Sequence, residues 1–208
     1  MLDRKTYNLM KQKYSKVGSW AVWCPQIDKP KSNMGNMKWA EDEDGLCSIL
    51  NPRFVLVGLN WSNHGVKENE EGKSAPPETA WKNFHSGYSR GNSYKLRFTL
   101  KDTPFWGAYM TDLIKYYPKT DSGEVKKYLQ KQPEVVEYNI KRFEEEVSHL
   151  GDDPVIVAMH GVAYYYLKKY LKHKYSTIVK IRHYGDRRIG KNLDGYRAET
   201  LEVLNQCC

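Results

Sequence analysis

Asn60, Asp112, His160 and His183 are the side chains of this chain best placed for chemistry, because each closes an apolar or mixed run. FVLVGL (54–59) delivers Asn60, GAYM (107–110) closes on Thr111 and Asp112, PVIVAM (154–159) delivers His160, and TIVKIR (177–182) delivers His183. An amide both donates and accepts, a carboxylate accepts, and an imidazole can stabilise negative charge near neutral pH. Other chemistries lack a signature. There is no GxxxxGK[ST] phosphate loop and no GxGxxG after a strand. No GxSxG elbow makes Ser62, near His64, a nucleophile. His, Asp and Glu do not cluster at metal-ligand spacing, and Cys24, Cys47, Cys207 and Cys208 form no CxxC pair. Neither a metal nor another cofactor is expected.

The elements that must position these residues follow from periodicity. Asp3 opens an amphipathic helix over 3–17, with Tyr7, Met10, Tyr14 and Val17 at helical spacing. Residues 25–46 are turn-rich and read as an irregular connection, and residues 63–103 as a long polar region containing WKNFHSGY. Strands are expected at 53–57, 107–110, 154–159 and 177–182, with helices from Pro133 to about Leu150 and over 162–171. Val136, Ile140, Phe143, Val147 and Leu150 form the apolar stripe of the longer helix, with Pro in its first turn and Gly151 past its end. Strands alternating with helices imply a mostly parallel, about four-stranded sheet covered on both sides, a three-layer α/β/α sandwich. In such sheets ligands sit outside the carboxyl ends of the strands. The four polar arrivals therefore share one rim.

A chain of 208 residues, 40% hydrophobic and 13% aromatic, fits one α/β domain over 1–208. No run of about 18 apolar residues is present, so no membrane span is expected. MLDRKTYNLMKQKYSK has no apolar core or small-residue cleavage site, so a cytoplasmic monomer is the expectation. The net charge is +8, and Gly161–Lys191 alone holds nine Lys or Arg against Asp186. Such a concentration attracts phosphates through counterion release, which makes DNA the expected partner. Lysines on a solvated helix face are the plainer alternative.

Four ordered blocks, GLNWS, AYMTDLIKYYP, NIKRFEEEVSHLGDDPVIVAMHGVAYYYLKKYL and RHYGD, resemble the uracil-DNA glycosylase superfamily over roughly residues 53–190. The branch that carries an iron–sulfur cluster is the nearest pattern. The resemblance implies a uracil-DNA glycosylase-like α/β/α fold and a hydrolase that acts on a flipped base in DNA repair. It places Asn60 where water is oriented, Asp112 where an Asn reads the base, and Lys115 at the Lys of the same block. His183 stands at the His of an H-P-S block, and Phe84 or Trp61 would stack on the base. Arg187, Arg188 and Lys191 would grip the flanking phosphates. The chain departs from the pattern at Trp61, at Asp112 and at Tyr184-Gly185, and the cluster cysteines have no counterparts.

A glycosylase must extrude the base, then stabilise the negative charge that leaves with it. His183 would donate to that charge, while Asn60 would orient the water. Ionised Asp112 only accepts, so it disfavours uracil's carbonyl and suits an edge bearing an amino group. The implied activity is hydrolysis of the N-glycosidic bond of a damaged or unusual base. A nucleic-acid or nucleotide binding module that has lost the chemistry, and a hydrolase of small nucleotides, stay open. So do plainer roles: Asn60 as a turn residue, Asp112 as a helix N-cap, His183 bonded to backbone, and His160, Trp81 and Tyr164–Tyr166 as packing.

Overall fold

The computed structural model describes residues 1–61, 79–85, 91–115, 117, 119, 121–190 and 192–208. Ser62, His64 and Lys191 lie outside the described residues, and with Lys191 one of the expected phosphate contacts.

Five strands form one sheet: β1 (Gly18–Trp20), β2 (Asn51–Asn60), β3 (Ala108–Ile114), β4 (Val155–Ala158) and β5 (Ile178–Lys180). They run in the order β1-β3-β2-β4-β5, and only β1 is antiparallel to its neighbour. Four strands were expected; β1 is the fifth. Three residues are too few to show a period of two, and all three are buried, which hides the polar face that marks most edge strands. β3 is also longer than 107–110. Parallel pairing with β2 continues through Gly58↔Asp112 to Asn60↔Ile114, so Asp112 sits inside a strand. No helix follows it directly, which removes the N-cap role.

Seven α-helices are present among the described residues: α1 (Arg4–Tyr14), α2 (Glu43–Ile49), α3 (Tyr94–Leu100), α4 (Ser122–Lys131), α5 (Pro133–Ser148), α6 (Gly161–Leu171) and α7 (Leu193–Asn205). α2 begins inside the stretch read as irregular, α3 inside the long polar region, and α4 and α7 were not anticipated. Each has a short apolar face. α4 buries only Val125 and Leu129, and α7 only Tyr196, Thr200 and Leu204. Local caps start them, because Asp121 accepts from the Gly123 and Glu124 amides and Asn192 from the Gly195 amide. α5 follows its apolar stripe closely, burying Val136, Ile140, Phe143 and Val147.

Helices cover both faces. Val55, Val57, Tyr109, Leu113, Ile156 and Ala158 point to one face and pack with residues of α1, α2, α4, α5 and α6. Phe54, Leu56, Met110, Val155 and Val157 alternate to the other face, under Leu96 and Leu100 of α3 and Leu204 of α7. Strands β2 and β4 are adjacent, yet α3 follows β2 on the second face and α6 follows β4 on the first. Connections that leave neighbouring parallel strands on opposite faces open a crevice at their carboxyl ends. Asn60 and His160 flank it. No helix among the described residues is long and apolar enough to cross a membrane.

Candidate functional site at the strand ends

Register fixes the rim. Val57, Ala158 and Lys180 are aligned across β2, β4 and β5. Asn60 is the last residue of β2, three past that row, and His183 follows three residues after the end of β5 at Lys180. Asp112 pairs with Gly58 one row past Val57, on the face of Phe54 and Met110. Residues more than a hundred positions apart thus arrive at one edge of the sheet.

Asp112 is the centre of the arrangement. It is 4% exposed, and Asn83 Nδ2 donates to its Oδ2 at 3.0 Å. Burial raises its carboxyl to about 6, against the lowering effects of the Asn83 hydrogen bond and the Lys115 charge. Gly58 makes room for it. A Cβ at Gly58 would collide with Asp112 Oδ1 and would lie 3.4 Å from Phe84 Cζ. Carboxylate and phenyl ring therefore meet where a Gly58 side chain would begin.

The segment Ala80–His85 is held over this point by bonds that two bulky residues need. Trp81 and Phe84 have φ of 63° and 65°, a left-handed conformation costing about 1–2 kcal/mol per residue. Anchors hold them there. The Trp81 amide donates to Ser15 O at 2.7 Å, Ser19 Oγ donates to Trp81 O at 2.7 Å, and Trp81 Nε1 donates to Tyr7 OH at 3.2 Å. Asn83 Nδ2 also donates to Val17 O at 2.7 Å. Backbone strain sustained by its surroundings is common where a ligand is clamped. Trp81, fully buried, is core.

Asn83→Ala removes the donor to Asp112. The carboxyl should then titrate above its present value of about 6, and the variant should be about 2 kcal/mol less stable at pH 8 than wild type. The difference should shrink below pH 5, where Asp112 is protonated in both. Carboxyl-carbon NMR titration with urea melts at the two pH values checks this.

His183 is neutral. Burial, reinforced by His160, lowers it to about 4. Its Nδ1 accepts from the Gly185 amide at 3.0 Å, so the neutral ring carries its proton on Nε2 and that nitrogen is a donor. Tyr184 stacks on it with centroids 4.4 Å apart, and burial, reinforced by the Asp112 charge, raises the Tyr184 hydroxyl. His160, 6.1 Å from His183 between centroids, caps α6 by accepting from the Val162 amide on Nδ1. Lys95 is buried nearby; desolvation lowers its ammonium while Asp186 opposes that.

Three expected residues are engaged otherwise. Asn60 Nδ2 donates to Tyr117 O at 2.8 Å and Lys119 O at 2.7 Å, tying down the chain after β3. Trp61 is 5% exposed. Arg188 closes on Asp186 at 2.6 Å, an ion pair whose arginine is 81% exposed. Such a pair adds little stability and leaves Arg187 as the freer positive charge of that turn. Asn83, Lys95 and Tyr184 belong to the site and had no signal of periodicity or motif, although Tyr184 directly follows His183.

Among the described residues no group of three or more His, Cys, Asp or Glu could hold a metal ion. Fold and site together define an α/β protein with a mostly parallel sheet and polar side chains gathered at its strand ends. Against protein-family models, curated proteins and solved structures, the chain matches none.

Proposed function

We propose that the strand-end pocket binds a nucleobase, in a uracil-DNA glycosylase-like protein that hydrolyses the N-glycosidic bond of an unusual base in DNA. What supports this reading is a buried, hydrogen-bonded carboxylate next to the Phe84 ring, with a neutral imidazole donor just past the end of a neighbouring strand. Phe84 and Asp112 both border Gly58. A base takes its place beside the carboxylate with Phe84 turned to stack on it, a contact worth about 1–3 kcal/mol. Asp112, ionised at pH 7, accepts from an amino group on the base. The Asn60 carbonyl oxygen accepts a hydrogen bond from water, which attacks C1′ of the sugar. As the C1′–O bond forms the C1′–N bond breaks, its electron pair leaves with the base, His183 Nε2–H stabilises that charge, and the proton the water loses passes to the departing base.

One observation favours a second reading, a binding module without chemistry: both Asn60 amide hydrogens are committed to backbone. The two readings separate in one assay. Single-stranded oligonucleotides, each with one uracil or one amino-bearing modified base, are incubated with the protein and cleaved at abasic sites. Strand breaks at an amino-bearing base and none at uracil are expected. Salt-sensitive binding without strand breaks selects the module, and the absence of both strand breaks and binding overturns the nucleobase reading.

A further inference from the structure

A cavity of about 760 Å³ opens between α4, α5 and α6, on the face of the sheet opposite Phe84. That volume is in the range of small-molecule and cofactor sites. Its wall is aromatic and basic: Lys126 and Gln130 from α4, His160, and Tyr165, Lys169 and Tyr170 from α6. No acidic side chain is among its described lining residues. Tyr165 is 59% exposed and packs edge-on to Tyr166 beneath it, with centroids 5.1 Å apart. Lys169 Nζ sits 5.0 Å from the Tyr170 ring centre. His160 belongs both to this wall and to the strand-end rim, where its ring is 6.1 Å from His183. The cavity and the strand-end rim therefore share one residue.

Ring faces that accept any base, interleaved with lysines and free of carboxylates, are what an unpaired nucleic-acid strand requires. A closed duplex offers no base face to a tyrosine. We infer that this cavity holds the unpaired nucleotides that flank a base bound in the strand-end pocket, so the protein is a reader of single strands. Tyr165 and Tyr170 stack on bases, and Lys126 and Lys169 meet phosphates. The inference rests on the nucleobase reading of the pocket and adds the route by which the strand arrives.

The test is fluorescence anisotropy of a labelled twelve-residue oligothymidylate, titrated with the full chain at several salt concentrations. The Lys126→Glu, Lys169→Glu double variant should bind at least tenfold more weakly. Its slope of log affinity against log salt should be shallower by about 1.4, since each single-strand phosphate contact contributes about 0.7. Tyr165→Ala should bind about tenfold more weakly with an unchanged salt slope. Both replacements are at surface positions, and circular dichroism melts matching wild type show that folding is kept. Wild-type binding that all these variants share unchanged overturns the inference and leaves the pocket reading intact. Binding of thymidine monophosphate with none of the oligomer overturns the strand and keeps a nucleotide pocket. No binding of either removes both.

Discussion

Asp112→Asn should be more stable than wild type at pH 7.5 by on the order of 3 kcal/mol, and nearly equal to it at pH 4. The carboxyl is ordinarily at 3.8 in an unfolded chain and rises to about 6 here because burial penalises its charge. The folded state therefore holds the proton more tightly. A raised acid contributes stability that is complete below about pH 4 and is lost as pH rises through about 6. Asparagine keeps the shape of the protonated acid and does not titrate. Histidines work in the opposite direction. His85 is lowered to about 3 and His183 to about 4, so their contribution is present above their ordinary 6.5 and is lost on acidification. A wild-type curve alone mixes the two trends, and the difference between the variants isolates Asp112. Urea unfolding from pH 4 to pH 8 measures it, and two curves that stay parallel would show that Asp112 is not held above its normal range. The same variant changes recognition. An amide donates as well as accepts, so uracil should bind the Asp112→Asn protein and not wild type.

Glu146→Ala should lower the unfolding free energy by about 3–5 kcal/mol. Glu146 is fully buried on the other face of β3. Its Oε2 lies 2.7 Å from Lys115 Nζ, whose side chain is 5% exposed, and its Oε1 accepts from Tyr109 OH at 2.6 Å. Lys115 Nζ also donates to Thr111 Oγ1. Removing the carboxylate leaves an ammonium and a phenol in the core without it, and the unpaired charge dominates the cost. The double variant Lys115→Met, Glu146→Leu removes both charges and should recover most of the loss, since apolar pairs of similar volume replace buried ion pairs well. A double variant as unstable as Glu146→Ala would mean that the damage comes from lost packing. Lys115 thus has a structural use: it neutralises the buried carboxylate behind β3.

Gly18 shows how tightly this network is built. A Cβ there would collide with the Tyr109 hydroxyl, so a larger residue at that position in β1 would displace the phenol that donates to Glu146. The edge strand and the buried ion pair are joined through one phenol.

What was legible in the chain beforehand was whatever a local period or a strong run could carry. β4, α5, α6 and the central part of β2 could be read from four apolar residues in succession or a 4-3-4-3 stripe, and the positions of Asn60 at the end of β2 and His160 just past β4 followed from them; the strand expected over 177–182 is only Ile178–Lys180, so His183 lies three residues beyond it. β1, α4 and α7 could not, because three buried residues show no alternation and two or three buried positions make no stripe. Asn83 and Lys95 were equally silent. Their roles depend on which strand they lie over, and that contact spans twenty-nine positions for Asn83 and Asp112.

By itself, the order of residues determined an α/β chain whose strands end in polar side chains and whose positive charge is gathered in one segment. Tertiary structure alone decided that Asp112 lies within β3 under Asn83 and Phe84, that the Asn60 amide is spent on backbone, and that Arg188 is matched by Asp186. The physical reason is the range of the forces. Periodicity and capping act within a few residues, whereas burial, which sets a carboxyl near 6 and an imidazole near 4, exists only once distant segments have closed over them.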